Sequence, residues 1–360
     1  MLRDATSWVG WRMAGLGIGL SRRALHSIKS NKTLYDLAYS LRNSHEFSDL
    51  YEHEKMLADS VRVDCYAEAI RRLIKPGDVV VDLGTGSGVL AMLAARQGAK
   101  VYAIDHSDFI TLAEANARRN GIDTITFVHA NSRQFRPPEQ VDVLLHEQIG
   151  DNLFNENMVD NLLDLKRRLL KPGGRILPGR FELYLEPVCL HPDYRVPFLE
   201  EIRVQGLEFS HLAEIARSYR SPHYGRRSMM DHDDVEDFLG APSPALTVDL
   251  NEINDTSGLP QRIALSREVQ RPGQLDGIYQ YFAVVFDESL RFDTSPFSRR
   301  THWRNRMFRV PQRSVAVGER IDYELTLTEL RLHDSWAVTL AQPAEESRPY
   351  AAPQPIPSAV

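Results

Sequence analysis

The stretch Val79-Val80-Val81-Asp82-Leu83-Gly84-Thr85-Gly86-Ser87-Gly88 indicates which fold this chain adopts, because it joins a strand pattern to a helix pattern through glycines. The three valines predict a short strand buried on both faces, and the apolar spacing of residues 89–97 predicts a helix. Glycines at such a junction let the backbone approach a nucleotide-like ligand, since they carry no Cβ atom. The alternative, a turn that serves only helix packing, fits this strand-loop-helix context less well.

The spacing within the glycine loop narrows the class of ligand. Gly84, Gly86 and Gly88 form the pattern G-x-G-x-G, whereas the dinucleotide fingerprint is G-x-G-x-x-G, and the difference argues against a dehydrogenase. Asp82 at the entrance of the loop would repel a pyrophosphate and suits a cationic ligand.

A second acid, Asp105, ends the next predicted strand, 17 residues after Gly88. A carboxylate at this place can accept hydrogen bonds from ribose hydroxyls. It could instead cap the following helix, but Asp108 is better placed for that purpose. We therefore interpret Asp105 as a ribose ligand.

Composition excludes several classes of protein. Hydrophobic residues make up 42% and charged residues 26% of the 360 residues, which is typical of a globular chain and not of a disordered or coiled-coil one. The net charge of −6 argues against general nucleic-acid binding but does not exclude a local basic patch. Two cysteines exclude a disulfide framework, a structural zinc site is not expected, and no apolar run is long enough to span a membrane. We expect a cytoplasmic protein.

Periodicity divides the chain into five segments. Strand and helix patterns alternate from 77 to 179, which predicts a doubly wound α/β Rossmann-like domain with a parallel sheet. Alternating apolar and polar residues after 179 predict antiparallel strands, at 181–185, 278–286 and 321–327. The remaining predictions are a basic N-terminal arm at 1–32, a helical segment at 33–76, a helical insertion at about 205–240 within the 180–342 domain, and a Pro-rich disordered tail at 343–360. The arm could rest on an anionic surface, but its glycines weaken a helix, so we favour a mobile arm or docking strand.

Five stretches, in order along the chain, resemble the protein arginine methyltransferase family. The glycine loop with Asp105 resembles class I S-adenosylmethionine (SAM) methyltransferases in general. The other four are similar to the family's N-terminal helix motif, its double-glutamate loop, the end of its Rossmann domain and its threonine-histidine-tryptophan loop. They lie at 53–62, 146–158, 170–178 and 301–303, and the similarity extends from about 47 to 327.

The resemblance implies roles for individual residues. Glu147 and Glu156 would hold the acceptor guanidinium, and His302 would pair with an acid of the N-terminal helical region and help take up the released proton. Arg62 would neutralise the cofactor carboxylate, and Met56 would pack beside the methyl-transfer centre. The other SAM-binding residues would be Asp82, Gly84, Gly86, Gly88 and Asp105, with no metal.

Each of these residues also has an ordinary interpretation. Two loop carboxylates nine residues apart are usually solvated, and Glu156 could sit in the first turn of the next helix. His302 could be a structural histidine, Arg62 a surface charge paired with Asp59, and Met56 a core residue. For the two glutamates the chemistry favours the functional interpretation, because two carboxylates can bind one always-protonated guanidinium by charge-assisted hydrogen bonds. The two interpretations of His302 are equally balanced, and a methionine at helical spacing is more often a core residue.

The double-glutamate loop departs from the family pattern. The family usually has Ser-Glu-x-Met-Gly-Tyr where this chain has His146-Glu147-Gln148-Ile149-Gly150-Asp151. The lost tyrosine and the added Asp151 would alter the rim of the arginine channel, and residues 129–133 hold no clear counterpart of the acid that contacts adenine. Gly150 also makes a continuous helix through this segment improbable.

The sequence therefore predicts a SAM-dependent N-methyltransferase that acts on a guanidino nitrogen of arginine, in a protein or peptide. The resemblance implies a β-barrel-like C-terminal domain and a homodimer whose arm is the 205–240 insertion, although that insertion could equally be a surface loop. The alternative acceptor is free arginine or another metabolite amine, which the altered glutamate loop favours. A silent module that only binds SAM or a partner is disfavoured, because both glutamates are present.

Overall fold

The computed structural model describes residues 50–212, 214 and 226–341. The predictions for the N-terminal arm, the Pro-rich tail and part of the insertion therefore lie outside the described residues. The described chain forms two compact units. The first contains residues 50–148 and 161–178, and the second contains residues 149–160 and 179–341.

The first unit is an α/β domain with a five-stranded parallel sheet, as the alternating pattern predicts. Its strands are β1 (Val79–Leu83), β2 (Lys100–Asp105), β3 (Ile125–His129), β4 (Val141–His146) and β5 (Leu170–Leu177). Its helices are α1 (Leu50–Ala58), α2 (Ser60–Leu73), α3 (Val89–Arg96), α4 (Phe109–Arg119) and α5 (Met158–Leu169). The first three residues of α5, 158–160, are assigned to the second unit. No helix in the described part of the chain is long and apolar enough to cross a membrane.

The strand order is β3-β2-β1-β4-β5, so the topological switch point of the sheet lies between β1 and β4. In open α/β sheets, ligands bind outside the carboxyl ends of the strands at this point. All five residues of β1 are buried, which explains its continuous apolar sequence. The carboxyl ends of β1 and β4 carry the glycine loop and Glu147, so both predicted motifs lie at the expected edge of this sheet.

Two stretches of this unit show details that the sequence pattern did not give. Within the helical segment predicted at 33–76, α1 and α2 are separated at Asp59, whose carboxylate accepts a hydrogen bond from the Arg62 backbone N–H at 3.0 Å and caps α2. The stretch 170–178, which resembles the end of the family's Rossmann domain, forms β5 directly after α5 ends. Pro172 is tolerated there because β5 is the edge strand of the sheet.

The second unit is built from antiparallel strands, in agreement with the predicted C-terminal β domain. Its longest pairing joins β6 (Arg180–Leu190) to β13 (Gly273–Val285) within the sheet β10-β6-β13-β15-β9. The other strands of this sheet are β9 (Arg226–Met230), β10 (Val235–Phe238), β11 (Pro244–Asp249), β14 (Arg291–Asp293) and β15 (Asn305–Val315). A separate sheet contains β12 (Arg262–Glu268), β16 (Arg320–Leu327) and β17 (Trp336–Leu340).

The predicted helical insertion at 205–240 is wrong for most of its described residues. A two-stranded hairpin forms from β7 (Arg203–Val204) and β8 (Leu207–Glu208), with Gln205 and Gly206 at positive φ in its turn. Residues 210–212 and 214 are helical, residues 213 and 215–225 lie outside the described residues, and β9 and β10 pair with β15 and β6. Pairing with these long neighbouring strands outweighs the local helical pattern, because strand formation depends on partners remote in sequence.

Candidate functional site

The glycine loop after β1 has a backbone that only glycine adopts without strain. Gly84, Gly86 and Gly88 have φ values of +71°, +51° and +85°. Gly84 and Thr85 both donate their N–H groups to the Ile104 carbonyl oxygen, at 2.9 and 3.0 Å, which fixes the loop against β2. A Cβ atom on Gly88 would lie 3.1 Å from that of Ala113, so this glycine also permits close packing of α4. The loop therefore combines a ligand cradle with helix packing.

Asp82 lies beneath this loop, 1% exposed. Burial raises its pKa to about 7, although a 2.6 Å hydrogen bond from the Thr85 hydroxyl opposes the increase. The negative charge of Asp105 acts in the same direction as burial. An acid in this state is sensitive to a nearby positive charge, which would favour its ionised form.

Asp105 lies beside the glycine loop, as its predicted ribose-binding role requires. Its Oδ2 atom accepts a hydrogen bond from the Gly86 N–H at 3.0 Å, and Oδ1 accepts two from Ser107. Asp108 does occupy the N-cap position of α4, but its carboxylate makes no capping hydrogen bond to the described residues. The ribose role of Asp105 stays a prediction that this placement supports.

Helix α1 contributes a residue that the sequence analysis did not assign. His53 is 8% exposed, and its ring stacks on that of Phe109 with 4.0 Å between ring centroids. Its Cε1 atom lies 3.2 Å from the place where a Cβ on Gly86 would be. His53 therefore packs against the glycine loop, and its position at the start of the 53–62 motif is the signal that could have identified it.

Arg62 is a buried residue, so its interpretation as a surface charge paired with Asp59 is wrong. Its Nη1 atom donates to Glu147 Oε2 at 2.7 Å, and Nη2 donates to the carbonyl oxygen of Met56. The Asp59 carboxylate accepts the backbone N–H of Arg62. Sequence motifs 85 residues apart are thus joined by one ion pair, whose side chains are 5% and 11% exposed.

The Nε atom of Arg62 is buried and has no hydrogen-bond partner within the described residues. A buried donor left in this state costs about 1–3 kcal/mol, so a ligand carboxylate that accepts from it would be stabilised. SAM carries such a carboxylate, a ribose and a cationic sulfonium. The orphaned donor, the glycine cradle and Asp105 therefore fit this cofactor.

Glu147 directly follows the last residue of β4, His146, which is fully buried. Burial lowers the pKa of His146 to about 4, against a hydrogen bond to the Pro178 carbonyl that raises it, so the imidazole is neutral at physiological pH. The Tyr66 hydroxyl donates to the His146 carbonyl oxygen at 3.1 Å. The backbone that leads into Glu147 is thus held by buried polar contacts.

The second part of the glutamate loop, residues 149–157, belongs to the second unit, although the sequence analysis assigned it to the Rossmann-like domain. It contains no helix, as Gly150 predicts, and Leu153 and Asn157 have φ values of +69° and +55°. Such a backbone in non-glycine residues stores strain that surrounding contacts must offset. Glu156 is half-buried and precedes α5, so it does not lie in the first turn of that helix.

Gly150 itself has a steric role in this turn. Its carbonyl accepts from the Leu153 N–H at 2.7 Å, and a Cβ at this position would lie only 2.2 Å from Asn155 Oδ1. The Asn155 oxygen also accepts from the Asn152 N–H at 3.1 Å. A side chain at 150 would therefore force the Asn155 amide to move away from its hydrogen bond with the Asn152 N–H.

The Thr301-His302-Trp303 loop holds the start of the glutamate loop within the second unit. Trp303 donates its indole N–H to the Ile149 carbonyl oxygen at 2.7 Å, and its ring stacks on Phe292 with centroids 5.6 Å apart. The next residue, Arg304, donates its backbone N–H to Asp151 at 3.3 Å. His302 lies against the Trp303 ring at 4.0 Å between centroids, and its catalytic role stays a prediction.

Comparisons with known proteins agree with these motifs. Two family models match in succession, Ribosomal protein L11 methyltransferase (PrmA) at 64–179 and the arginine methyltransferase oligomerization subdomain at 180–335. Protein arginine N-methyltransferase 6 of Xenopus tropicalis is 30% identical over 271 residues, which cover 72% of this chain and 77% of that protein. The chain belongs to the protein arginine methyltransferase family.

Other members of the family extend the likeness. The arginine methyltransferase 6 of Danio rerio is 29% identical over 305 residues, 79% of this chain and 82% of that protein. The PRMT1 enzyme-prozyme heterotetrameric complex with AdoHcy from Trypanosoma brucei has a TM-score of 0.67 at 23% identity, covering 78% of this chain and 88% of the other. That identity supports the fold alone.

The protein is a SAM-dependent arginine N-methyltransferase, and the predicted fold, cofactor and reaction are confirmed. The PrmA model matches only residues 64–179, which contain the glycine loop and Asp105. Ribosomal protein L11, named in that model's description, is therefore not taken as the acceptor of this chain. The residues that contact the acceptor and the methyl-transfer centre stay predictions.

Proposed function

We propose that this enzyme methylates arginine side chains of a protein or peptide, with Glu147 and Glu156 as the groups that bind the acceptor guanidinium. The observation that carries the proposal is the ion pair between Glu147 and Arg62, at 2.7 Å. It connects a predicted acceptor ligand to the residue whose orphaned Nε donor fits the cofactor carboxylate. Glu147 belongs to the first unit and Glu156 to the second, so their joint role rests on the sequence motif.

The guanidinium needs such partners because it is a poor nucleophile. It is always protonated, and its lone pairs are delocalised over three nitrogens. Carboxylates that accept hydrogen bonds from two of the nitrogens hold positive charge there and leave the third to attack. Bound SAM supplies a methyl group activated by its sulfonium. The protein's contribution is orientation of the acceptor nitrogen and stabilisation of its charge.

His302 and Met56 complete the proposed set of residues. His302 would help remove the proton that the methylated nitrogen releases, because an imidazole nitrogen can accept a proton. Met56 is half-buried, and its carbonyl oxygen already holds the Arg62 guanidinium. Its side chain would pack beside the transferred methyl group, as a flexible apolar thioether can.

Free arginine is the second candidate acceptor, and Asp151 is the observation that favours it. This acid replaces the aromatic residue usual in the family motif, and it also accepts the Arg304 backbone N–H. At the channel rim that the family motif implies, a carboxylate could bind the α-ammonium group of free arginine, whereas the α-nitrogen of an arginine inside a peptide is an uncharged amide. A mass-spectrometric screen with labelled SAM should therefore compare arginine-containing peptides with free arginine, and methylation of free arginine alone would refute the protein acceptor.

We further propose a homodimer in the cytoplasm. The match to an oligomerization subdomain and the heterotetrameric state of the Trypanosoma brucei relative support the dimer. The side chains of Val196, Val204, Leu207 and Leu212, close in sequence, are 49–65% exposed and would be covered by a partner. Sedimentation of the wild type as a monomer at all accessible concentrations would contradict the proposed dimer.

The proposed cytoplasmic location is supported by the cysteines. Cys65 and Cys189 are both free thiols, which suits a reducing compartment.

A further inference from the structure

His146 replaces the serine that usually precedes the first glutamate of this family's motif, and its side chain is fully buried. Both ring nitrogens have partners. Nε2 lies 2.9 Å from the carbonyl oxygen of Pro178, and Nδ1 lies 3.4 Å from the backbone nitrogen of Gln148. A carbonyl can only accept and a backbone N–H can only donate, so Nε2 carries the proton and Nδ1 provides the lone pair.

The two partners of the ring occupy special places in the chain. Gln148 is the last residue before the chain leaves the first unit at 149, and Pro178 is the last before it leaves again at 179. One imidazole therefore connects two exits of the chain from this unit. A serine has a single hydroxyl close to its own backbone and could not bond to both groups.

The hydrogen bonds of His146 hold the backbone on both sides of Glu147. The residue before Glu147 is held through the His146 ring and through the Tyr66 hydroxyl, which donates to the His146 carbonyl. The residue after it is held through the Gln148 N–H. The Glu147 carboxylate is itself held by Arg62 from the same helix, α2, that carries Tyr66. Rotation of the peptide planes on either side of Glu147 would break at least one of these hydrogen bonds.

We propose that His146 is a positioning residue for methyl transfer, whose neutral imidazole orients the backbone on both sides of Glu147 and thereby directs its carboxylate towards the acceptor. The inference rests on the proposed role of Glu147. Loss of the ring contacts would leave the cofactor cradle intact, because the glycine loop and Asp105 follow other strands. Misplacement of a catalytic carboxylate by a fraction of an ångström lowers the rate of the chemical step.

Three substitutions separate the contacts. His146→Gln can place a donor near the position of Nε2 and keep the bond to Pro178, His146→Asn can place an acceptor near Nδ1, and His146→Phe keeps a ring without either bond. We expect turnover to fall by about 10- to 100-fold in His146→Phe, and less in the other two. The KM for SAM and the affinity for S-adenosylhomocysteine should stay within about twofold. His191→Gln, at an exposed histidine of the second unit, is the matched control and should keep wild-type turnover.

A double-mutant cycle with Glu147→Gln tests whether His146 acts through this glutamate. If it does, the effect of His146→Gln on turnover should largely vanish in the Glu147→Gln background, since residues that act as a unit are not additive. Multiplicative losses, or equal losses in all three His146 variants together with weaker cofactor binding, would indicate a structural role and overturn the proposal. His146→Phe can fail to fold, in which case the Gln variant and its cycle still decide.

The result also separates this inference from the proposed function. Wild-type turnover of Glu147→Gln would refute the role of Glu147 and the present proposal with it. Loss of turnover in Glu147→Gln, with wild-type turnover in every His146 variant that folds, would refute only the role of His146.

Discussion

Replacing the two predicted acceptor ligands by their amides should have unequal consequences, and the structure explains the difference. Glu147→Gln and Glu156→Gln keep the side-chain shape and remove one charge. Glu147 is 11% exposed and pairs with the buried Arg62, whereas Glu156 lies half-buried in the second unit. The first change therefore affects both catalysis and stability, and the second should affect mainly catalysis.

The magnitudes follow from the contacts. Each substitution weakens a charge-assisted hydrogen bond to the acceptor to a neutral one, and removal of one preorganised polar group lowers turnover by about 10²-fold or more, about 2.7 kcal/mol. Glu147→Gln also leaves the Arg62 guanidinium without its counter-charge. Complete loss of a partner in a buried pair costs about 3–5 kcal/mol, and an amide that still accepts one hydrogen bond should cost about 2 kcal/mol.

The assay has three parts. Turnover is measured with labelled SAM and the acceptor found by the substrate screen, stability by thermal unfolding of the ligand-free protein, and cofactor binding by titration with S-adenosylhomocysteine. We expect both variants to lose turnover and only Glu147→Gln to show a Tm lower by about 3 °C. Cofactor affinity should change by no more than about threefold, because Arg62 keeps its contact with the Met56 carbonyl.

The double variant should lose less turnover than the two single losses predict together, because both residues act on one group. If both single variants methylate the acceptor at nearly the wild-type rate, the clamp is refuted and the acceptor is not held by these carboxylates. An unchanged Tm for Glu147→Gln would show that the ion pair with Arg62 does not stabilise the fold, and would leave the catalytic role of Glu147 untouched.

Three other substitutions or conditions test separate parts of the structure. Gly86→Val should abolish binding of S-adenosylhomocysteine in calorimetry, because a branched side chain at φ +51° is strained and its Cβ would lie 3.2 Å from His53; retained micromolar binding would show that the cradle is elsewhere. Gly150→Ala should lower turnover and Tm through the 2.2 Å contact with Asn155, and wild-type values for both would mean that the loop adapts. The lowered pKa of His146, about 4 against an ordinary 6.5, predicts that stability falls as pH decreases from about 6.5 to 4, because only the unfolded state takes up a proton there; the loss is at most about 3 kcal/mol. Asp82, whose pKa is raised to about 7, has the opposite slope over this range, so the test is the difference in unfolding free energy between wild type and His146→Gln, and a difference that does not vary with pH would contradict it.

Local signals in the sequence are sufficient for the parallel sheet and the glycine loop of the first unit. The valines of β1 and the three glycines after it predict the strand, the loop and α3, because a buried parallel strand and a positive-φ turn each limit the residues that can occupy them. Asp105 at the end of β2 was placed beside that loop on the same grounds, since the carboxyl ends of neighbouring parallel strands share one edge. The ordered motifs then indicated the family, which the comparisons confirm.

The tertiary structure alone decided which groups are partners. Arg62 and Asp59 are close in sequence and suggested a surface pair, but folding buries the guanidinium and brings Glu147 to it from 85 residues away. The ring of His146 joins Gln148 to Pro178, and strand partners turn part of the expected helical insertion into β9 and β10. The physical reason is the same in each case. Periodicity and turn residues report the conformation of nearby backbone, whereas the partner of a buried polar group or of a strand depends on which distant segment the fold places beside it.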